Sequence, residues 1–199
     1  MTLVRLVLAS GSPRRAELLR AAGFVFETRV AEVDERVQPG ETPAAYVRRL
    51  AAVKSSAVLA LLDAPARNVA ADARTLVLGA DTAVVIDNQI LGKPRDDVHA
   101  ASMLRLLSGR SHQVMTGVSL RNGACEVGRV EVTRVEFAAL ADDEIAWYVK
   151  SGEGHDKAGG YAIQGLASRF IPRIDGSYSN VVGLPVTAVV ELLEVLKTE

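Results

Sequence analysis

The chain opens on an apolar run, Leu3 to Ala9, broken only by Arg5, which predicts a buried strand; Ser12-Pro13 then supplies an N-cap and a first-turn proline for a helix over about residues 13–22. Residues 24–31 are expected to be extended, and Asp34 to Thr42 reads as a polar loop bearing Pro39 and Gly40. Pro43 starts a long helix to about Leu62, with Tyr46, Val47, Leu50, Val53 and Leu61 as its apolar stripe and Lys54 late along it. The alanine-rich stretch Asp63 to Thr75 carries Pro65 and Asn68 and reads as a surface connection. Leu76–Ala80 and Ala83–Ile86 have strand character, Asp87-Asn88 is a turn, and Asp96 caps a helix to about Leu107 that Gly109 stops. Val114–Leu120 and Val127–Phe137 are strand-like on either side of Asn122-Gly123, the strongest short hairpin signal in the chain. A helix from Asp142 through Trp147 to Lys150 is followed by the glycine-rich run Gly152–Gly165, a strand near Phe170–Ile174, a turn at Asp175-Gly176 and a terminal helix after Pro185. Parallel-sheet and hairpin signals together favour an α/β fold: a mixed sheet with flanking helices and two lobes around a central cleft.

Bulk composition narrows the class without choosing an activity. A length of 199 residues fits one domain or two lobes sharing a core, and 49% hydrophobic with 24% charged residues argues against disordered and fibrous chains. The net charge of −1 argues against duplex nucleic acid as a partner, since the phosphate lattice calls for a broadly basic face. Cys125 is the single cysteine, so it forms no intrachain disulfide and is expected to be structural, in a reducing compartment. The apolar run at the N-terminus is too short for a signal peptide or a bilayer span, so no membrane association is expected.

Four short segments could carry chemistry. Ser10-Gly11-Ser12-Pro13-Arg14-Arg15 brings N–H groups at a helix start together with two guanidinium groups within one turn, which suits a triphosphate. The same run is also what a well-capped helix with two solvated arginines looks like. Asp81, in Gly79-Ala80-Asp81-Thr82, stands at the end of an apolar strand, where α/β sheets place their ligands, and is positioned to activate water; a strand-end aspartate is equally a turn former. Lys93, in Gly92-Lys93-Pro94, follows a hairpin that could return it to the same cleft, where it would hold phosphate as a point charge. Asp34 and Glu35 are either magnesium ligands or a solvated acidic turn. His99, His112 and His155 are scattered and expected at the surface or at helix ends, with no nucleophile at motif spacing. Neither a Walker A sequence nor a dinucleotide fingerprint is present.

Six blocks resemble the Maf family in order and spacing: Leu8–Leu19 (LASGSPRRAELL), Gly79–Val85 (GADTAVV), Gly92–Asp96 (GKPRD), Ser108–Val118 (SGRSHQVMTGV), Asp156–Gly165 (DKAGGYAIQG) and Asp175–Pro185 (DGSYSNVVGLP). The resemblance implies a single Maf-like domain over residues 1–199, similar in fold to the inosine triphosphate pyrophosphatases. It implies a cytoplasmic enzyme, a homodimer, dependent on a divalent cation such as Mg2+, Mn2+ or Co2+. By position in the matching blocks, Asp81 is expected to be the general base, Ser10, Arg14, Arg15, Lys54 and Lys93 to bind phosphates, and Glu35 to assist Asp81 with the metal. Gly160–Gly165 looks like the branch that converts dTTP, UTP and some modified uridine triphosphates to monophosphate and pyrophosphate, where Arg14, Thr82 and Gln164 are associated with substrate choice. A housecleaning role in nucleotide metabolism follows from the same resemblance.

Two other functions stand beside this one. A nucleotide-binding regulator of septum formation and cell division with little turnover would need the cationic nest but would gain nothing from a carboxylate at Asp81 beside a triphosphate. Hydrolysis of inosine or xanthosine triphosphate is compatible with the fold, and the block around Gln164 argues against it.

Overall fold

A computed structural model describes residues 5–63, 75–123 and 125–198. The elements are β1 (Arg5–Ala9), α1 (Pro13–Ala21), β2 (Phe26–Arg29), α2 (Pro43–Leu62), β3 (Thr75–Ile86), β4 (Gln89–Leu91), α3 (Asp97–Leu107), β5 (Ser111–Asn122), β6 (Cys125–Glu136), α4 (Asp142–Lys150), β7 (Arg173–Asp175), α5 (Tyr178–Val182) and α6 (Val186–Thr198). The strands form one mixed sheet in the order β2-β1-β3-β5-β6-β7, with β4 paired to β3 outside this path. β1 runs parallel to both β2 and β3, whereas β3–β4 and β6–β7 are antiparallel. The backbone separates into two units: Met1–Asp81 with Thr116–Glu131 and Gly183–Glu199, and Thr82–Met115 with Val132–Val182.

In the first unit both faces of β1 are covered. Leu6 and Leu8 join Leu19, Leu78, Leu120 and Val189 in one core, while Val7 and Ala9 join Val58, Leu62 and Val77 in another, the alternation expected of a sheet flanked by helices on both sides. Helices α1 and α2 both begin with proline at the first turn, and Thr42 caps α2 by accepting from the Ala45 N–H at 3.3 Å. Ser12 occupies the expected cap position of α1, but its side chain makes no capping bond; its own N–H donates to Ser10 Oγ at 3.2 Å.

The buried face of α2 differs from the predicted stripe. Val47, Leu50, Ala51, Ser55, Val58, Leu59 and Leu62 are buried, whereas Val53 and Leu61 are 37% and 51% exposed. Small residues explain the choice, because α2 lies nearly against the sheet backbone. A Cβ on Gly79 would sit 2.2 Å from Ala51 O, and one on Gly117 would sit 2.1 Å from Val47 O. That approach buries Ser55, whose hydroxyl lies 2.8 Å from Ser119 Oγ; Ser119 donates to Glu126 at 2.6 Å, and Arg48 pairs with the other oxygen of the same carboxylate at 2.8 Å. Burial pushes the Glu126 pKa up, but the bonds from Arg48 and Ser119 outweigh it and hold the group below its usual range.

The core of the second unit includes Leu104, Leu107, Val135, Ile145, Tyr148 and Phe170. Asp87 and Asn88 take φ of 49° and 62°, the paired left-handed values of a type I′ hairpin turn. Asp96 caps α3 through the His99 N–H at 2.7 Å, and Gly109 follows the helix with φ of 68°. His112 corrects the expectation of surface histidines: it is 3% exposed, its Nε2 lies 2.7 Å from Tyr161 Oη, and its ring packs edge-on to Phe137 and Tyr161.

Other differences are local. The two strand segments expected around Asp81 are one continuous strand, because pairing outweighs the weak strand propensity of Gly79 and Asp81. The strand expected at Phe170–Ile174 shrinks to Arg173–Asp175, since Leu166–Phe170 coils into a short 3-10 turn that buries Phe170. Helix α5 carries no periodic signal; buried Asn180 fixes it by donating to Val114 O at 3.0 Å and Thr133 Oγ1 at 2.9 Å. Most of the alanine-rich connection, 64–74, lies outside the described residues. Cys125, expected to be structural, is exposed at the start of β6. Among the described residues no helix is long and apolar enough to cross a membrane.

Candidate active site

The register of β1 against β3 creates the site. Pairing runs from Arg5↔Thr75 to Ala9↔Gly79 and then stops because the chain turns at Ser10 towards α1. Asp81 therefore lies in the interior of β3 rather than at its end, but two residues beyond the last rung of its parallel neighbour. What the sequence reads as a strand end is the end of the adjacent strand, the kind of position where parallel sheets present ligand-binding groups.

Three elements of the first unit converge there. From α2, Lys54 places its Nζ 2.6 Å from Asp81 Oδ1 and 2.7 Å from Glu35 Oε1. Glu35 comes from the loop before α2, where Tyr46 Oη donates to its backbone carbonyl at 3.1 Å. Arg15 comes from α1: Nε donates to Gly183 O at 2.8 Å, and Nη1 donates to Ala80 O at 2.9 Å and Ser10 Oγ at 3.1 Å. Arg14 precedes it on the same turn and adds its charge to Arg15's surroundings.

The alternative of a capped helix with two solvated arginines does not hold for Arg15. Its guanidinium is turned inward, donating to the carbonyls of Ala80 and Gly183 just beyond the end of β1. The Asp34–Glu35 pair also divides. Asp34 is held by Arg36 at 2.6 Å, which keeps its carboxyl far below the usual range, and only Glu35 joins Lys54.

Burial dominates the electrostatics. Asp81 is 8% exposed, and desolvation raises its pKa above the ordinary value; Lys54 and Arg15 oppose the rise, and Glu35 adds to it. Desolvation likewise lowers the Arg15 pKa, with the Arg14 charge acting in the same sense and Asp81 and Glu35 opposing. Tyr46 is pushed up to about 12 by burial and by the charges of Asp81 and Glu35. The site holds a carboxylate of increased proton affinity, its rise opposed by two cations.

Among the described residues no group of three or more His, Cys, Asp or Glu side chains could hold a metal ion. Two carboxylates meeting at one ammonium, Asp81 and Glu35, instead suit a hard cation that completes its shell with water and phosphate oxygens.

The other sequence candidates belong to the second unit. Thr82 is half-buried on β3, Lys93 is exposed two residues beyond β4, and Gln164 is exposed in the turn before Leu166. Gln164 borders an open groove of about 470 Å³ lined also by Ile163, Ile171, Arg173 and Tyr178. Ser10, Arg15, Glu35, Lys54 and Asp81 are therefore brought together, with Arg14 beside them. Sequence reasoning missed Tyr46, counted only as an apolar position, and the two carbonyls that hold Arg15, for which no local pattern exists.

Comparison with known proteins adds a separate line. A family model described as "Maf-like protein" matches residues 5–196. The chain is 50% identical over 193 residues to a dTTP/UTP pyrophosphatase of Anaeromyxobacter dehalogenans (strain 2CP-C), covering 95% of this chain and 92% of that protein. It is 49% identical to a dTTP/UTP pyrophosphatase of Escherichia coli O157:H7, covering 96% and 92%, and 50% identical to one of Vibrio cholerae serotype O1, covering 97% and 98%. Its fold is similar to that of the Ham1 protein of Staphylococcus aureus, at a TM-score of 0.51 and 14% identity, covering 98% of each chain.

Proposed function

The chain belongs to the Maf family, and on that premise we propose that it is a nucleoside triphosphate pyrophosphatase that hydrolyses dTTP and UTP to the monophosphate and pyrophosphate. The observation that carries the reading is the buried carboxylate of Asp81 held at 2.6 Å by Lys54 beside the inward-turned Arg15. A binding regulator without turnover gives this carboxylate no task, since next to a polyphosphate it only repels.

Water attacks the α-phosphorus, the bond to the α,β-bridging oxygen breaks, and pyrophosphate leaves with that oxygen. Asp81 takes the proton of the attacking water. Burial makes it a stronger base than an exposed aspartate, while Lys54 and Arg15 favour its charged form. Arg14 and Arg15 with Ser10 grip phosphate oxygens, and Lys54 and Lys93 offset the charge that develops on the leaving pyrophosphate. A divalent cation held by Asp81, Glu35 and substrate phosphate would supply charge neutralisation and acidify water. Arg14, Thr82 and Gln164 set the preference for uracil and thymine, including modified uracils. The protein works as a single Maf-like domain, as a homodimer in the cytoplasm, in housecleaning of the nucleotide pool.

The test is incubation with a panel of nucleoside triphosphates and Mg2+, Mn2+ or Co2+, measuring pyrophosphate and monophosphate separately. Equimolar pyrophosphate and monophosphate, greatest with dTTP and UTP, is the expected result. Release of inorganic phosphate, or equal rates on all bases, would contradict it.

A further inference from the structure

The turn that carries Gln164 is fastened on both sides by one pair of side chains. Tyr148, fully buried on α4, accepts from the Ala162 N–H at 3.1 Å and donates to Glu153 Oε1 at 2.9 Å. Glu153 in turn accepts from the Leu166 N–H through Oε2 at 2.8 Å and from the Ala167 N–H through Oε1 at 3.3 Å. The bonded backbone positions, 162 on one side and 166–167 on the other, leave only residues 163–165 between them, with Gln164 at the centre.

The sequence is shaped to this clamp. A Cβ on Gly165 would lie 2.0 Å from Glu153 Oε2, so any side chain at 165 would expel the carboxylate. The Gly165 N–H donates to Ala162 O at 3.2 Å, closing the turn on itself. Gly154, next to Glu153, has room for no side chain either, because a Cβ there would meet Gly160 O at 2.0 Å. A half-buried carboxylate that accepts three hydrogen bonds is more than a helix-end cap: it fixes the backbone on which a neighbouring amide must be aimed.

We propose that Glu153, locked by Tyr148, is a positioning residue for base selection, holding the 163–165 turn so that Gln164 presents one fixed hydrogen-bonding edge to the base. The inference rests on the reading of Gln164 as a base-contacting residue. A free turn would let the amide rotate and offer either its oxygen or its nitrogen, which erases the distinction between uracil and cytosine edges. Hydrogen-bond readout depends on the wrong partner leaving a group unpaired, so it needs an amide that cannot reorient.

Glu153→Gln is a focused perturbation. Its carbonyl can keep the bonds to Tyr148 and Ala167, while its amide nitrogen faces the Leu166 N–H, donor against donor. The experiment measures kcat and KM for dTTP and dCTP on wild type, Glu153→Gln, Gln164→Ala and the double variant, with a Tm for each. The expected result is a roughly tenfold fall in the dTTP-to-dCTP ratio of kcat/KM for Glu153→Gln, carried mainly by KM for dTTP, and no additional fall in the double variant. Should Glu153→Gln not fold, Tyr148→Phe loses the Ala162 anchor while keeping the Leu166 and Ala167 bonds, and the same fall in ratio is expected.

Equal losses on both bases, or additive losses in the double variant, would make Glu153 purely structural and overturn the proposal. A changed ratio for Gln164→Ala with an unchanged ratio for Glu153→Gln and Tyr148→Phe would overturn the positioning role alone. An unchanged ratio for Gln164→Ala itself would remove the reading of Gln164 together with the proposal.

Discussion

Arg15→Ala should destabilise the fold as well as impair catalysis, because the side chain holds three groups of its own unit. The variant deletes bonds to Gly183 O, Ala80 O and Ser10 Oγ at 2.8, 2.9 and 3.1 Å. A hydrogen bond from a charged donor contributes about 1.5–3 kcal/mol net, but the carbonyls exposed by truncation recover part of that from water entering the space. A loss of about 2–4 kcal/mol follows, or roughly 5–15 °C in Tm for a chain of this size. Arg14→Ala is the control: the neighbouring arginine should lose catalysis while staying within about 0.5 kcal/mol of wild type. Arg15→Lys should recover only part of the stability, since one ammonium cannot reproduce the guanidinium fork. Urea unfolding of the three variants, with kcat/KM measured on the folded enzyme, separates the effects. If Arg15→Ala unfolded at the same urea concentration as Arg14→Ala, the inward geometry of Arg15 would be refuted, whatever happened to activity.

Gly79→Ala should cost about 1–3 kcal/mol in urea unfolding, because the added methyl would lie 2.2 Å from Ala51 O and must push α2 off the sheet, and it should lower kcat by moving Lys54 away from Asp81; wild-type values would show that α2 does not pack this closely. Burial holds the His112 pKa down at about 4, so the folded state keeps the ring neutral; the stability this provides is complete above the ordinary value of about 6.5 and is lost as pH falls towards 4. Wild type should therefore lose about 3 kcal/mol more than His112→Phe between pH 7 and pH 4, by urea unfolding, and parallel curves would exclude His112 as the source. Gln164→Glu should reduce kcat/KM for dTTP and UTP by about 10- to 200-fold without a change in Tm, and an unchanged nucleotide preference would take Gln164 out of the specificity site.

The secondary structure was legible where local chemistry and tertiary pairing agree. Prolines at 43 and 13 and the Asp96 cap place α2, α1 and α3 to within a residue or two, because first-turn proline and N-cap aspartate act locally. Asp81 was legible as a functional candidate for a reason that needed revision: the strand that ends beside it is β1, and only pairing register shows that. The direction of Arg15 was hidden because the carbonyls it satisfies belong to Ala80 and to Gly183, 168 positions away. The buried face of α2 was misread for a similar reason, since Gly79 and Gly117 on distant strands set which side of the helix approaches the sheet. The Tyr148–Glu153 clamp joins a helix to a glycine-rich turn through backbone N–H groups, which carry no signature in side-chain identity.

The central claim, that Asp81 is the base of a pyrophosphohydrolase, is tested most directly by Asp81→Asn in a paired measurement of single-turnover dTTP hydrolysis and equilibrium binding of a nonhydrolysable α,β-analogue. The amide keeps the shape and an oxygen for Lys54, but not the charge or the basicity. The chemical step should slow by about 10²- to 10⁴-fold, the scale for loss of a general base, while the analogue, with binding measured without divalent cation, binds as well as before or more tightly because a negative charge beside the polyphosphate has gone. Hydrolysis at close to the wild-type rate would contradict the account, and the carboxylate that shares Lys54, Glu35, would then be the group to test.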